Sequence, residues 1–439
     1  AEAQASDGAP PSSSSGGSPT SRRVLRLVDE GHQFFGKAEY GSALRCWTEA
    51  CQLREADLGP EHPGVGRLVV AMGNALNKMG RDEKALEHYQ RTLDIRMKAL
   101  GDRHPEVAFV LSNIGIVQHK LGKCEAALNR HGQALSILRE TPCFGPEHPD
   151  FARVLCDLGD VHDDVGAYDE ATQCFQEALR IQRRALGGQH PDVARSLCGL
   201  GNVSMRRGAC AAALEHYQLA LEIQELHLAT DDGLHPVAAT TLSNCGLATA
   251  RLGFLSRAKG MHMRAHAAQV RSLGEEHPDV ARTLSHLGQV HEAAGRLVEA
   301  TECFQSALRI RETALGLVHP DTADTLGRLG ALHSRRGEPS KAIEHFNLCL
   351  VVTEKSLGAS HIAVGMAAHN LATALRQQGE LQEALVRFQQ AVDIFGAREA
   401  DSTAARPLAR ATEAAESCKQ AVESQKRQTE QDYMMLFGM

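Results

Sequence analysis

The chain has 439 residues, of which 43% are hydrophobic and only 4% aromatic, a composition typical of folded, helix-rich proteins. Its 47 basic and 54 acidic side chains give a formal net charge of −7, so no global charge favours binding to nucleic acid or an anionic membrane. The sequence contains no run of about 18 apolar residues, and we therefore expect no membrane-spanning helix.

The first segment of the chain, residues 1–19, is rich in Ser, Gly and Pro. Segments of this composition bury too little apolar surface to offset the entropy lost on ordering. We therefore predict a disordered tail over residues 1–19.

A sequence repeat follows this tail. The dipeptide His-Pro recurs at intervals of 42 to 45 residues, and His361 followed by Ile362 continues the series. The histidines followed by Pro are His62, His104, His148, His190, His235, His277 and His319. Because Pro is favoured at the first position of a helix and a capping side chain before it, each His is predicted to lie at a helix N-cap.

Each repeat carries two glycines at fixed distances from its His. The glycine at +11 indicates close packing of two helices, and the glycine at +18 is typical of a left-handed residue that ends a helix. The +11 residues are Gly73, Gly115, Gly159, Gly201, Gly246, Gly288 and Gly330, followed by Ala372. The +18 residues are Gly80, Gly122, Gly166, Gly208, Gly253, Gly295, Gly337 and Gly379. Alanine at +23 and an aromatic residue or His at +27 predict a second helix from about +20 to +37.

The same repeat register extends towards the N-terminus beyond the first His-Pro, and at the other end it stops before the C-terminus. It places Gly31 at +11 and Trp47 at +27 of a ninth, N-terminal unit, so the repeats span residues 20–402. In residues 403–439, Pro407 is predicted to open a helix to about Asp432 that caps the apolar face of the last hairpin. The apolar residues 433–437 either fold back onto the array or dock into a partner.

The spacing of 7, 5, 4 and 3 residues between glycine, glycine, alanine, aromatic residue and alanine resembles the tetratricopeptide repeat. The 42-residue period with the linker LGxxHPxVA, as in LGDRHPEVAFVLSNIG and LGEEHPDVARTLSHLGQ, is similar to the kinesin light chain-like subtype and to nephrocystin-like arrays. The resemblance implies an all-α fold, a right-handed superhelical solenoid of about nine helical hairpins with a C-terminal capping helix. It also implies that the first helices line a concave groove that holds extended peptides.

Positions +5, +9, +12 and +16 share one face of each first helix. Basic residues occupy nine of the sixteen +5 and +16 positions, against the acids Asp164 and Asp324, and asparagines recur at +9 and +12. We predict a basic groove that pairs with carboxylates or phosphates and bonds a peptide backbone through its amides. The predicted site residues are Arg67, Asn74, Lys78, Asn113, Lys120, Arg153, Arg195, Asn202, Arg206, Asn244, Arg251, Arg282, Arg335 and Asn370.

Structural explanations compete with a ligand role for these residues. Arg153, Arg195 and Arg282 each follow an Asp three residues earlier, which is the spacing of an ion pair within one helix. Lys and Arg at +16 also lie near a helix C-terminus, where they interact favourably with the helix dipole.

The fourth hairpin differs from the others because its first helix is acidic. The four residues concerned are Asp157, Asp160, Asp163 and Asp164. Such a run predicts a solvated face, or else a contact for a basic partner.

No catalytic or metal-binding motif emerges, and we expect neither enzyme activity nor a cofactor. His262 and His266 have i,i+4 spacing but lack the Glu and the third ligand of a zinc site. No GxxxxGK[ST] or GxSxG sequence occurs. The 12 scattered cysteines include no CxxC pair, so they are expected to be reduced and to act as small core residues.

Two functions from different classes fit these features. The first is a non-catalytic adaptor that binds an extended, acidic peptide segment in the basic groove. The second is a structural subunit of a large cytoskeletal or ciliary assembly, which uses the convex surface and the C-terminus. Protein or peptide partners are expected, without nucleic acid or membrane. The expected location is the cytoplasm, with the cilium or cytoskeleton and a cleaved targeting segment as alternatives.

Overall fold

A computed structural model describes residues 19–37, 39–228, 234–397 and 405–437. These residues form nineteen α-helices and no strand, as the repeat predicts. The chain divides into two compact units, Ala1–Val203 and Ser204–Met439. The tail predicted for residues 1–19 lies outside the described residues, except for Pro19, which begins the first helix.

The helices alternate along the chain between a first and a second helix of each repeat. In the first unit they are α1 (Pro19–Gly36), α2 (Tyr40–Leu58), α3 (Pro63–Lys78), α4 (Asp82–Leu100), α5 (Pro105–Lys120), α6 (Cys124–Glu140), α7 (Pro149–Asp164) and α8 (Tyr168–Leu186). The division between the units falls within α9 (Pro191–Arg206).

The second unit continues the alternation and ends in a longer helix. Its helices are α10 (Cys210–His227), α11 (Pro236–Arg251), α12 (Leu255–Leu273), α13 (Pro278–Ala293), α14 (Leu297–Leu315), α15 (Pro320–Arg335), α16 (Pro339–Leu357), α17 (Ile362–Gln378), α18 (Leu381–Gly396) and α19 (Ala405–Phe437). Within each unit, consecutive helices pack as hairpins, for example α5 with α6 and α15 with α16.

The predicted cap of the first helices is confirmed. The Nδ1 atom of the N-cap histidine accepts a hydrogen bond from the backbone N–H two residues later, at 3.1 Å in His148 with Asp150 and in His277 with Asp279. The residue after the His is Pro at the first helical position, where no backbone N–H partner is needed. These caps give successive first helices the same register.

The two repeated glycines have the predicted structural roles. Gly166 at +18 has a φ of 82°, and the glycines at the same position of the other repeats also have positive φ, which lets the chain leave the helix. At +11, Gly115 packs on the His131 ring so closely that an added Cβ would lie 2.6 Å from its Nε2 atom. Gly159 packs on Phe175 in the same way. The first and second helices of a hairpin therefore approach closely at this point.

The first helices of neighbouring hairpins also contact one another within each unit. The pairs are α5 with α7 in the first unit, and α11 with α13 and α15 with α17 in the second. The exposed residues at +5, +9, +12 and +16 of these helices therefore form a shared surface in each unit, which we call the first-helix face.

The helix α19 packs on the last hairpin through small side chains. Ala411, Ala415, Cys418 and Val422 are buried, and α19 contacts α18 and α17. It runs to Phe437 rather than ending near Asp432 as predicted. Every residue from 423 to 433 is exposed, and Tyr433 among them does not fold back. The side chains of residues 434–437 lie outside those described.

Five of the twelve cysteines are buried, six are partly buried and one is exposed. The exposed one is Cys143, so the expectation that all twelve act as core residues is wrong for it. None of the described helices is both long and apolar enough to cross a membrane.

Candidate functional site

In the first unit, three basic side chains on α3 and α5 form what we call the open basic patch: Arg67, Lys78 and Lys120. All three are exposed. Lys120 donates a hydrogen bond to the Asn77 side chain at 2.5 Å, which places the ends of the two helices side by side. Arg67 lies about 16 Å from Lys78 along α3, at 1.5 Å per residue. No carboxylate among the described residues lies within ion-pair distance of the patch, so its charge is available to a ligand.

Two predicted amides lie beside this patch. Asn113 is partly buried on α5. The Asn74 oxygen accepts a hydrogen bond from the Tyr89 hydroxyl at 2.6 Å, so its oxygen serves the hairpin while its NH2 group keeps donor capacity. The helices α3 and α5 of the first unit thus carry five of the predicted site residues.

Three other predicted basic residues are neutralised by acids of this chain. Arg153 lies 3.5 Å from Asp150 and Arg282 lies 2.7 Å from Asp279, so the competing i,i+3 interpretation is confirmed for both. Arg335 pairs instead with Glu292, on the preceding first helix, at 2.6 Å. These side chains are less available to an acidic ligand than those of the open basic patch.

Arg195 has different partners from those its spacing predicts. Its guanidinium contacts Asp157 at 2.6 Å and Asp160 at 3.1 Å, both on α7. The Ser112 hydroxyl on α5 donates to the other Asp157 oxygen at 3.2 Å. We call these four residues the closed network. It links three successive first helices of one unit.

The closed network corrects the prediction made for the acidic first helix of the fourth hairpin. Asp157 and Asp163 are each only 6% exposed, so a solvated face is wrong for both. Asp164 lies 2.8 Å from His119 Nε2, and this hydrogen bond raises the pKa of His119. The acids of α7 are therefore largely engaged by residues of the neighbouring first helices.

The remaining predicted residues lie around and after the division of the chain. Asn202 and Arg206 are exposed on α9, Asn244 is partly buried on α11, and Asn370 is exposed on α17. Arg251 donates to the Met205 carbonyl oxygen at 3.4 Å. This contact places Arg251 beside the residue that precedes Arg206, whereas Arg282 and Arg335 of the second unit pair with acids.

The sequence analysis missed two features of the second unit. A cavity of about 310 Å³ lies between α17, α18 and α19 and is lined by Asn370 together with Arg406 and Arg410. A second cavity of about 410 Å³ lies between α15 and α17. The i,i+4 spacing of the two arginines was the available signal, but the apolar pattern of α19 indicated only a cap.

The i,i+4 histidine pair has a structural explanation. His262 is fully buried at the +27 position, where its ring packs against Gly246 and its Nδ1 atom lies 3.1 Å from the Ser243 hydroxyl. Burial lowers its pKa to about 4. Within the described ranges, no three His, Cys, Asp or Glu side chains group as metal ligands would.

Comparison with known proteins shows what the chain resembles. A family model described as the tetratricopeptide repeat matches residues 67–140, 150–225, 237–313, 284–350 and 321–397. No curated protein matches the chain significantly.

Three solved structures match this chain to different extents. The apo form of RapI is 16% identical, with a TM-score of 0.52 over 66% of this chain and 98% of that one. BtubC (BKLC) from P. vanneervenii is 17% identical, with a TM-score of 0.44 over 52% and 90% of the two chains. A tetratricopeptide repeat protein from Parabacteroides merdae is 17% identical, with a TM-score of 0.44 over 66% and 93%.

Proposed function

Because the chain belongs to the tetratricopeptide repeat family, whose repeats generally mediate protein–protein interaction, we propose that it is a non-catalytic adaptor that binds an extended, acidic peptide segment. The segment lies along the first-helix face, with its acidic residues at the open basic patch. The observation that carries this proposal is the exposure of Arg67, Lys78 and Lys120 without a carboxylate partner among the described residues.

The chemistry of the patch fits carboxylates held on a flexible chain. Lys and Arg form charge-assisted hydrogen bonds to carboxylates, which are about twice as strong as neutral ones. The Asn113 amide and the NH2 group of Asn74 lie between the basic side chains and can donate to peptide carbonyl groups. The basic side chains can therefore bind the acidic side chains of an extended segment, and the amides can bind its backbone.

The same reasoning narrows the proposed site. Arg153, Arg195, Arg282 and Arg335 already contact acids of this chain, so recruiting them to a ligand would break existing ion pairs. We therefore centre recognition on α3 and α5 rather than distributing it evenly over all predicted residues.

The subtype and location follow as parts of the proposal. The 42-residue period and the LGxxHPxVA linkers support membership of the kinesin light chain-like subtype and a cytoplasmic location. A fluorescent fusion of the full chain tests the location: diffuse cytoplasmic signal is expected, and enrichment at the cilium or along filaments would favour the second candidate function.

That second candidate, a structural subunit of a cytoskeletal or ciliary assembly, is favoured by α19. Its residues 423–433 are all exposed, so this half of the helix offers a surface that another protein can contact. Deleting residues 423–439 separates the candidates, because it should leave acidic-peptide binding unchanged in the adaptor and abolish incorporation into the assembly in the structural subunit.

The adaptor function is tested by selecting 12-residue peptides from a random library on the full chain. We expect the selected peptides to be enriched in Asp and Glu. Capture should be lost with the patch variant, in which Arg67→Glu, Lys78→Glu and Lys120→Glu are combined. Selection without acidic enrichment would contradict the proposal.

A matched variant controls for the change in net charge. It combines Arg45→Glu, Lys84→Glu and Lys123→Glu, three exposed positions on or at the start of second helices in the same unit. We expect it to retain the selected peptides, with an unchanged circular dichroism spectrum in both variants. Equal loss of binding in the two variants would show that net charge alone, and not the patch, attracts the peptides.

A further inference from the structure

The cavity between the last hairpin and α19, which we call the end cavity, has one apolar and one basic side. Met366, Phe395 and Pro407 supply apolar surface. Arg406 and Arg410 lie one turn apart on α19 and line the same cavity of about 310 Å³. Such a combination suits a ligand group that is anionic at one point and apolar beside it.

Among the described residues, no carboxylate neutralises the positive charge of the end cavity. Arg406 and Arg410 are exposed, and among the described residues no carboxylate forms an ion pair with either of them. Burial, together with the charges of Arg376 and Arg410, lowers the pKa of the neighbouring His369, so its ring is neutral at pH 7. The exposed Asn370 amide completes the polar lining.

A second cavity, which we call the trough, adjoins the end cavity and shares Met366 and Asn370 with it. It has a volume of about 410 Å³, and small residues including Ala323, Gly327 and Ala331 line it along α15. The charged residues that line it are paired: Asp324 lies 3.0 Å from Arg328, and Glu292 lies 2.6 Å from Arg335. The trough therefore offers apolar space without a net charge.

We propose that the end cavity and the trough together hold one acidic peptide segment: an Asp or Glu side chain lies between Arg406 and Arg410, and an aliphatic side chain of the same segment fills the trough. This inference rests on the proposed function and adds a second anchor, in the second unit. A side-chain carboxylate fits better than a chain terminus, because the trough provides a path for the peptide to continue.

The positions of the cavities set the spacing of the two anchors. The cavities lie on either side of α17, so their centres are separated by about one helix spacing, ~10 Å. An extended peptide rises about 3.3 Å per residue. The acidic and aliphatic residues of the segment are therefore about three positions apart.

The test uses synthetic, end-capped 12-residue peptides that carry Leu and Glu three positions apart, in both orders, in a Gly/Ser background. Binding to the full chain is measured by fluorescence anisotropy, with Gln replacing Glu in the matched peptides. For one of the two orders, we expect the Glu peptide to bind at least about tenfold more tightly than its Gln counterpart. Arg406→Gln with Arg410→Gln should remove that difference.

Two further variants report on the trough and on net charge. Gly327→Leu fills the trough, and the space for it exists because an added Cβ would meet only Cys349 Sγ, at 3.4 Å; it should weaken the Glu and Gln peptides alike. Arg257→Gln with Arg264→Gln, both exposed on α12, is the charge-matched control and should leave binding unchanged.

The outcomes separate this inference from the proposed function. A preference for Glu that survives Arg406→Gln with Arg410→Gln would overturn the inference. So would tighter binding of a Gln peptide with a free C-terminal carboxylate, since a chain terminus would then be the ligand. Binding that is lost in the patch variant alone supports the proposed site and contradicts the second anchor. Binding that is lost only when Arg406→Gln is combined with Arg410→Gln supports the second anchor and contradicts the patch.

Discussion

The open basic patch on α3 and α5 and the closed network on α5, α7 and α9 use the same repeat positions with opposite results. Arg67 and Arg195 both lie at +5 of their repeats. Arg67 has no carboxylate partner among the described residues, whereas Arg195 contacts Asp157 and Asp160 of the neighbouring repeat. The repeat register thus places a charge on the first-helix face, and the adjacent repeat decides whether that charge is available to a ligand.

The largest expected effect is the difference in stability between variants of these two arginines. Arg195→Met leaves the buried Asp157 carboxylate without its cation, which should lower the local stability of α7–α9 by about 2 kcal/mol, less than for a fully buried pair because Arg195 itself is 44% exposed. Arg67→Met should change stability by less than about 0.5 kcal/mol. Hydrogen–deuterium exchange of the full chain measures both, and equal protection in the two variants would contradict the contrast.

The second expected effect is a pH dependence of stability, which His131 on α6 causes. His131 is fully buried, and in the described part of the chain neither of its ring nitrogens has a hydrogen-bond partner. Burial lowers its pKa from 6.5 to about 4. As pH falls below about 6.5, the unfolded chain therefore takes up the proton before the folded chain does. The free energy of unfolding is therefore highest above about pH 6.5 and falls as the pH is lowered towards 4. At pH 5 the loss due to His131 is about 2 kcal/mol.

His131→Phe tests this effect, because Phe175 occupies the same position of the next repeat. The variant should lose less stability than the wild type between pH 7 and pH 5, measured as the exchange protection of α5 and α6. His227→Phe at the exposed end of α10 is the control and should retain the wild-type pH dependence. An unchanged pH dependence in His131→Phe would show that another group controls the acid response.

The third expected effect is the salt dependence of peptide binding at the patch. Exposed charges are screened as ionic strength rises, so affinity for a selected acidic peptide should fall about tenfold between about 50 and 500 mM NaCl. The structural-subunit alternative, with a broad apolar interface, predicts little change.

The smallest expected effect separates single residues of the first-helix face. Lys120→Gln should weaken binding of the acidic peptide about threefold, since Lys120 has no acid partner among the described residues. Arg153→Gln should weaken it less than about twofold, since Asp150 already neutralises Arg153. Isothermal titration calorimetry resolves the difference. Equal effects of the two variants would mean that intramolecular pairing does not control availability.

The fold was predictable because its signals are local and repeated. The His cap, the proline after it and the +18 glycine each act within a few residues, so one repeat determines the boundaries of its own helices. Gly115 was predicted to be a point of close helix packing for the same reason, since glycine recurs at +11 in the other repeats. Its contact with the His131 ring was found only in the structure.

The partners of the charged residues were not predictable from that pattern. The structural explanation that competed with a ligand role paired Arg195 with Asp192 in its own helix. Its partners instead lie in another repeat, because helical spacing contains no information on which neighbouring helix is nearer. The end cavity was missed because α19 breaks the repeat register, so no position counted from a His identifies Arg406 or Arg410.

The central claim, that the open basic patch binds acidic peptide segments, is tested most directly by a charge exchange. A selected acidic peptide and its counterpart with every Asp and Glu replaced by Lys are titrated against the wild type and the patch variant. We predict that the wild type prefers the acidic peptide and the patch variant prefers the lysine peptide. The same preference for the acidic peptide in both proteins would contradict the claim.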